Sequence, residues 1–192
     1  MTAKYLLVLA LCYSSFVYSN SEFSHFFNSF NTLSANYHQQ TYDEVGVPLG
    51  SSSGRLKFKR PAQFLWHATT PTNQTLLLSN NELWLIDYEL EQASMRPMHE
   101  LQNTPLYWLI TQPSQLKTMP KLTDKSQGVH WYSADDKNLI KFGFKNNHLV
   151  LISLVNQLGQ EIIINFTNIA INPDITNDEF NLVLEDSFDI IR

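Results

Sequence analysis

The sequence predicts a mainly β domain with a few short aromatic helices packed on, or plugging, a curved sheet. Three observations carry that reading. From Asn36 almost to the end, apolar residues recur with period two in short runs separated by turn residues, as in half-buried strands. Near the start, Phe23, Phe26, Phe27, Phe30 and Leu33 recur at spacings of three and four, as on one face of a helix. The remaining helical signals cluster between 104 and 119, too few and too close together for the crossovers of a parallel sheet. A sandwich or a barrel is left.

The first helix is expected over Ser21 to about Leu33, with Ser24, His25, Asn28, Ser29 and Asn31 facing away from the phenylalanines. Val47 to Gly54, rich in Gly and Ser, reads as a loop. Arg55 to Arg60 is a strand that Pro61 interrupts, because proline has no N–H for the ladder, and Phe64 to His67 resumes it. Thr75 to Ser79 and Glu82 to Ile86 flank Asn80-Asn81, residues that accept the positive φ of a tight hairpin, and Glu89 to Met95 pairs onward. Thr104 as a cap and Pro105 at the first helical position open a helix through Ile110. A second short helix is expected from Pro113 to Met119. Val129 to Tyr132, Leu139 to Phe144, His148 to Val155 and Gln160 to Phe166 read as antiparallel strands, and Phe180 to Leu184 and Asp189 to Ile191 as the last two.

A chain of 192 residues with 43% apolar residues, including 12 Phe, 8 Tyr and 4 Trp, can bury one substantial core and is too apolar to be disordered. Its net charge of −5 argues against nucleic acid as the main partner. Lys4, the apolar run Tyr5 to Leu11 and Val17-Tyr18-Ser19 read together as a secretory leader, cut after Ser19 or alternatively after Ser21. The expected organisation is a cleaved leader over 1–19 and one domain over 20–192. The only cysteine, Cys12, lies in that leader. Leu11 before it is too bulky for a lipoprotein cleavage box, so the mature protein is expected to be soluble, exported and without disulfides.

No catalytic constellation stands out. Gly50-Ser51-Ser52-Ser53-Gly54 matches the nucleophile-elbow pattern, but that elbow needs a strand before its serine and a helix after it, and here a strand follows. The six histidines, at 25, 38, 67, 99, 130 and 148, have no zinc-site spacing. No phosphate-cradling glycine loop with a following Lys-Ser/Thr occurs, so the protein is expected to carry no nucleotide engine of its own, and no cofactor or metal is implied. Asp135-Asp136 reads as a solvated turn.

The segment Arg55-Leu56-Lys57-Phe58-Lys59-Arg60-Pro61 is more informative. With period two, Arg55, Lys57 and Lys59 share one face, while Leu56, Phe58 and Arg60 share the other. Arg60 thus points where leucine and phenylalanine point. A charge there either snorkels to the sheet rim or binds acceptors, and the sharper alternative is a latch on backbone carbonyls at a helix end.

Arg60-Pro61-x-x-Phe64-x-Trp66, then Pro71, Gln74, Leu83-Trp84, Asp87-Tyr88, Thr104-Pro105-Leu106, Gly159-Gln160, Phe180-x-Leu182 and Asp189-Ile190-Ile191, resembles the periplasmic outer-membrane lipoprotein carrier family, LolA. The resemblance covers the chain after the leader. It implies an incomplete, strongly curved antiparallel β-barrel covered by short α-helices around a hydrophobic cavity that takes up lipoprotein acyl chains. Expected to line that cavity are Phe23, Phe26 and Phe30 of the first helix, Leu106 and Leu109 of the second, and Leu56, Phe58 and Trp66 of the sheet. The resemblance makes Arg60 the lid latch and Phe64 a handover residue. It implies a monomeric periplasmic chaperone, not an enzyme, with acylated lipoproteins as cargo. Its partners would be an inner-membrane ATP-binding-cassette release complex and an outer-membrane receptor. The sequence departs from the family at Asn156, where an Asp is usual, and at Asp186-Ser187, where Pro-Gly is usual. The alternatives are a lipid-anchored receptor of related fold and an envelope hydrolase.

Overall fold

Side-chain alternation along a single sheet decides what covers each of its faces. The structure is a computed structural model that describes residues 21–101, 104–111, 119–133, 137 and 139–191. The leader, Asp135-Asp136 and all but Met119 of the helix expected at Pro113 to Met119 lie outside the described residues.

The described residues begin with helix α1, Glu22–Asn28, then strands β1, Thr32–Tyr42; β2, Pro48–Lys59; β3, Gln63–Thr70; β4, Gln74–Ser79; β5, Glu82–Asp87; and β6, Gln92–Arg96. A 3₁₀ turn at Met98–Leu101 and helix α2, Pro105–Ile110, separate this half from the next. There follow β7, Lys121–Ser126; β8, Val129–Ser133; β9, Ile140–Lys145; β10, His148–Val155; β11, Glu161–Ile171; and β12, Asp189–Ile191. The twelve strands form one unclosed, strongly curved sheet in the order β12-β6-β5-β4-β3-β2-β1-β11-β10-β9-β8-β7. β12 lies parallel to β6. The other neighbours run antiparallel, with register shifts in β1, β2, β7 and β10 that bend the sheet.

Two expectations for the N-terminal half are corrected. The first helix stops at Asn28, because Ser29 Oγ donates to Phe26 O and caps it. Leu33 fits the helical spacing from Phe30, but it equally begins the alternation Leu33, Ala35, Tyr37 that β1 buries. From Pro48 on, the expected loop Val47 to Gly54 is instead the first half of β2, which pairs with β1 from Thr41↔Gly50 to Tyr37↔Gly54. Gly54 sits at a register shift where β3 comes so close that an added Cβ would lie 1.9 Å from His67 O. That glycine therefore serves a close approach of two strands rather than a loop.

Further along, Phe180 to Leu184 is not a strand. Phe180 ends a 3₁₀ turn, Asn177–Phe180, whose Glu179 carboxylate accepts from Thr176 N. β7, which the sequence reading missed, is exposed along its whole length, so it carries no buried alternation to detect.

The concave face buries α1, α2 and the inward residues of β1–β3 and β8–β11 in one cluster. The convex face carries a smaller cluster in which Ile175 and Phe180 of the C-terminal segment cover Leu77, Trp84, Ile86 and Ala93. β2 serves both. Leu56 and Phe58 are buried in the concave cluster, while Lys59 Nζ donates to Ile175 O on the convex side and Lys57 bonds to Glu179.

Candidate ligand site beneath a helical lid

α1 lays a phenylalanine stripe across the concave face. Ser21 Oγ accepts from Ser24 N at its start, and Phe23, Phe26 and Phe27 are buried. The rings interlock with the sheet: Phe23 meets Phe142 at 5.2 Å, Phe26 meets Phe144 at 5.7 Å and Phe30 meets Phe58 at 5.8 Å between centroids. α2 joins from the side, with Trp108 6.0 Å from Phe23 and 5.8 Å from Phe142. Both helices thus act as a lid whose side chains fill most of the hollow of the sheet.

What is left is a small apolar hollow with scarcely room for one water molecule. Phe26 and Leu109 wall it from the lid, and Leu33, Ala35, Leu56, Leu149, Phe166 and Ile169 from the sheet. A drug-sized ligand needs a pocket far larger than that, of roughly 300–1,000 Å³. A long hydrocarbon chain therefore enters only if lid side chains leave.

Among the residues expected to line the cavity, Phe26, Leu56 and Leu109 wall this hollow. Phe23, Phe30, Phe58 and Leu106 are buried in the same cluster, and Trp66 is half-buried against it, with Tyr37 at 4.5 Å. Phe64 is wholly buried there too, with 0% exposure, so it offers no surface while the lid is closed. The inner residues of the second half of the sheet, Phe142, Phe144, Leu149 and Phe166, escaped the sequence-based site. Their period-two spacing was available as a signal, but it marks any half-buried strand and says nothing of a ligand.

Arg60 stands at the C-terminal end of the lid helix. Its Nη1 donates to Phe30 O at 2.8 Å, and its guanidinium carbon lies 4.4 Å from the Phe30 ring centroid. Its backbone N donates to Asn31 O at 2.9 Å. Nε and Nη2 are buried without a hydrogen-bond partner among the described residues. Burial lowers the pKa of Arg60, although guanidinium remains charged in proteins. The arginine is thus attached to the lid by one bond and a ring, at the expense of two orphaned donors.

The strand register also brings together a pair not adjacent in sequence. Ser53 Oγ lies 2.8 Å from His38 Nδ1, a serine–histidine contact on the exposed side of β1 and β2. It stands within continuous strand and not at the strand-to-helix turn of an elbow. Among the described residues, no three His, Cys, Asp or Glu side chains converge as metal ligands would.

Residues 28–183 match the family described as outer membrane lipoprotein carrier protein LolA. The chain belongs to that family. It is 28% identical over 174 residues to the outer-membrane lipoprotein carrier protein of Hahella chejuensis, covering 84% of this chain and 82% of that one. The protein of the same name from Pseudomonas fluorescens is also 28% identical, over 169 residues, with the same shares covered. A LolA superfamily protein from Nitrosomonas europaea superposes with a TM-score of 0.50 at 9% identity, covering 84% of this chain and 94% of that one. At that identity it speaks for the fold alone. At the β10–β11 turn Asn156 Oδ1 accepts from Leu158 N and Gln160 N. No helix among the described residues is long and apolar enough to cross a membrane.

Proposed function

We propose that this protein is a periplasmic chaperone that binds lipoprotein acyl chains on the concave face of its sheet, in the space that α1 and α2 fill when it is empty. The observation carrying this reading is the wholly apolar hollow under a phenylalanine lid, in a chain of the lipoprotein carrier family.

The lid explains how such a carrier can let go. Burial stabilises by about 0.8 kcal/mol per CH₂, so several acyl chains in an open apolar trough would be held almost irreversibly. Here the trough is already occupied. Phe23, Phe26, Phe27 and Phe30 each gain about 1.5–3 kcal/mol from burial, and cargo must displace at least part of that. Affinity is the difference between two apolar burials and is correspondingly moderate.

Arg60 adds a polar increment to the closed state through Phe30 O and serves as the latch, and Phe64 becomes accessible for handover only once the lid has moved. Loading is driven from outside, by an inner-membrane ATP-binding-cassette complex, because the sequence contains no phosphate-cradling motif. Unloading is to an outer-membrane receptor. The protein acts as a carrier and turns over no substrate.

The test is native mass spectrometry of the protein isolated from a periplasmic extract. A fraction carrying one triacylated lipoprotein is expected. Preparations that contain only unliganded chain, even when the release complex is overproduced, would contradict the reading.

A further inference from the structure

The two ends of α1 are attached in different ways. At the C-terminal end, which leads covalently into β1, the contacts are dense: Asn172 Oδ1 accepts from Asn31 N, Asn172 Nδ2 donates to Ser29 O, and Arg60 bonds to Phe30 O and Asn31 O. At the leading end, where Phe23 packs on Phe142, the polar attachment runs through Glu22. Glu22 Oε2 lies 2.6 Å from His130 Nδ1 and accepts from Tyr132 OH at 3.2 Å, both on β8, on the opposite limb of the sheet from β2. His130 and Tyr132 lie 108 and 110 positions from Glu22 in sequence, so only the closed lid joins it to them.

We infer that Glu22 is the clasp at the leading end of the lid and that Asn172 and the backbone N–H of Arg60 hold its hinge. The inference rests on the carrier reading for its purpose, but its geometry does not. Seven helical residues make a lever of roughly 10 Å, so rotation about Ser29–Asn31 moves Glu22 farthest and Phe30 least. Such a rotation breaks the bonds to His130 and Tyr132 first and then that of the Arg60 guanidinium to Phe30 O, while those of Asn172 and of the Arg60 backbone N–H can persist. The clasp is also well placed to hold: the Glu22 side chain is only 17% exposed, so water competes weakly for its carboxylate. Burial and the Glu22 charge raise the pKa of Tyr132, which keeps its phenol protonated and donating. Glu22 is a positioning residue for cargo uptake and touches no cargo itself. Displacement of Phe23, beside it, follows its release.

The test compares wild type, Glu22→Ala, the pair His130→Leu with Tyr132→Phe, and the combination of all three. One readout is hydrogen–deuterium exchange of residues 21–31, and the other is affinity for a fluorescent synthetic triacylated lipopeptide. Loss of a partly exposed charge-assisted contact should speed α1 exchange and tighten lipopeptide binding by about three- to tenfold. The β8 substitutions should do the same, and add nothing further in the Glu22→Ala background. A residue needed only for folding would instead lower the melting temperature and weaken binding. Glu22→Gln, which keeps an acceptor of the same shape, should fall between wild type and Glu22→Ala, and serves if the alanine variant fails to fold. Unchanged α1 exchange, or effects from the two sides that simply add, would overturn the clasp. If wild type binds no lipopeptide, the carrier reading falls, and the exchange data still decide the clasp.

Discussion

The two faces of the sheet bury apolar surface in ways that teach different things. On the concave face the cover is α1, hinged at one end and bonded to the sheet by a handful of polar contacts over a stack of rings. On the convex face the cover is the C-terminal segment, and it is fixed along its length. Thr32 Oγ1 donates to Pro173 O at its start, Lys57 and Lys59 hold its middle, and β12 pairs with β6 at its end. In the proposed reading one cover swings; the other is a strap. The same strand supplies both, because alternate residues of β2 point to opposite faces.

The largest expected effect separates strap from lid by stability. Phe180→Ala removes a wholly buried ring from the convex cluster and should cost about 3–5 kcal/mol in denaturant unfolding. Cargo affinity per folded molecule should not change, and a large change would mean that the faces are coupled.

Arg60→Leu probes the lid, and here two terms compete. The bond to Phe30 O is worth about 1.5–3 kcal/mol to the closed state, and the ring contact about 1 more. Against them stand the two orphaned donors, which closing the lid deprives of water. The expected net is a roughly tenfold gain in lipoprotein affinity, read as a larger fraction of carrier isolated in complex. Unchanged or weaker binding would show that desolvation cancels the latch.

Lys57→Met tests the strap's ion pair and should cost no more than about 0.5 kcal/mol, since both partners are partly exposed. The hydrogen bond from Lys57 holds the Glu179 carboxyl below its ordinary pKa. A lowered folded-state value means stability present above the ordinary glutamate range and lost as pH falls through the lowered value. Acid titration of wild type against Lys57→Met should show that small loss only in wild type. Smallest of all, Ser53→Ala and His38→Ala should leave cargo transfer unaltered, as expected of a cross-strand hydrogen bond; loss of transfer with unchanged melting would reopen the hydrolase reading.

Much of this was legible in the sequence. The inward turn of Arg60, the phenylalanine stripe, the helix after Thr104-Pro105 and most strands follow from period and turn chemistry. What was missed has physical reasons. Leu33 satisfies two periods at once, so spacing alone carries the helix on past Asn28. Gly50 to Gly54 has loop composition, yet pairing with β1 makes it strand, and Gly54 answers a close approach visible only in three dimensions. β7 is exposed throughout and has no buried rhythm. Glu22, His130 and Tyr132 are brought together by the closure of the lid over the sheet, which no local pattern encodes.

The central claim is that cargo lies on the concave face and displaces the lid from it. Photo-crosslinking side chains placed singly at Phe26 and Leu56 on that face, at Asn28 on the outside of α1, and at Trp84 under the convex strap test it most directly. Loaded with lipoprotein, the protein should label cargo from Phe26 and Leu56, and not from Asn28 or Trp84. Equal labelling from Phe26 and Asn28, or stronger labelling from Trp84, would contradict it.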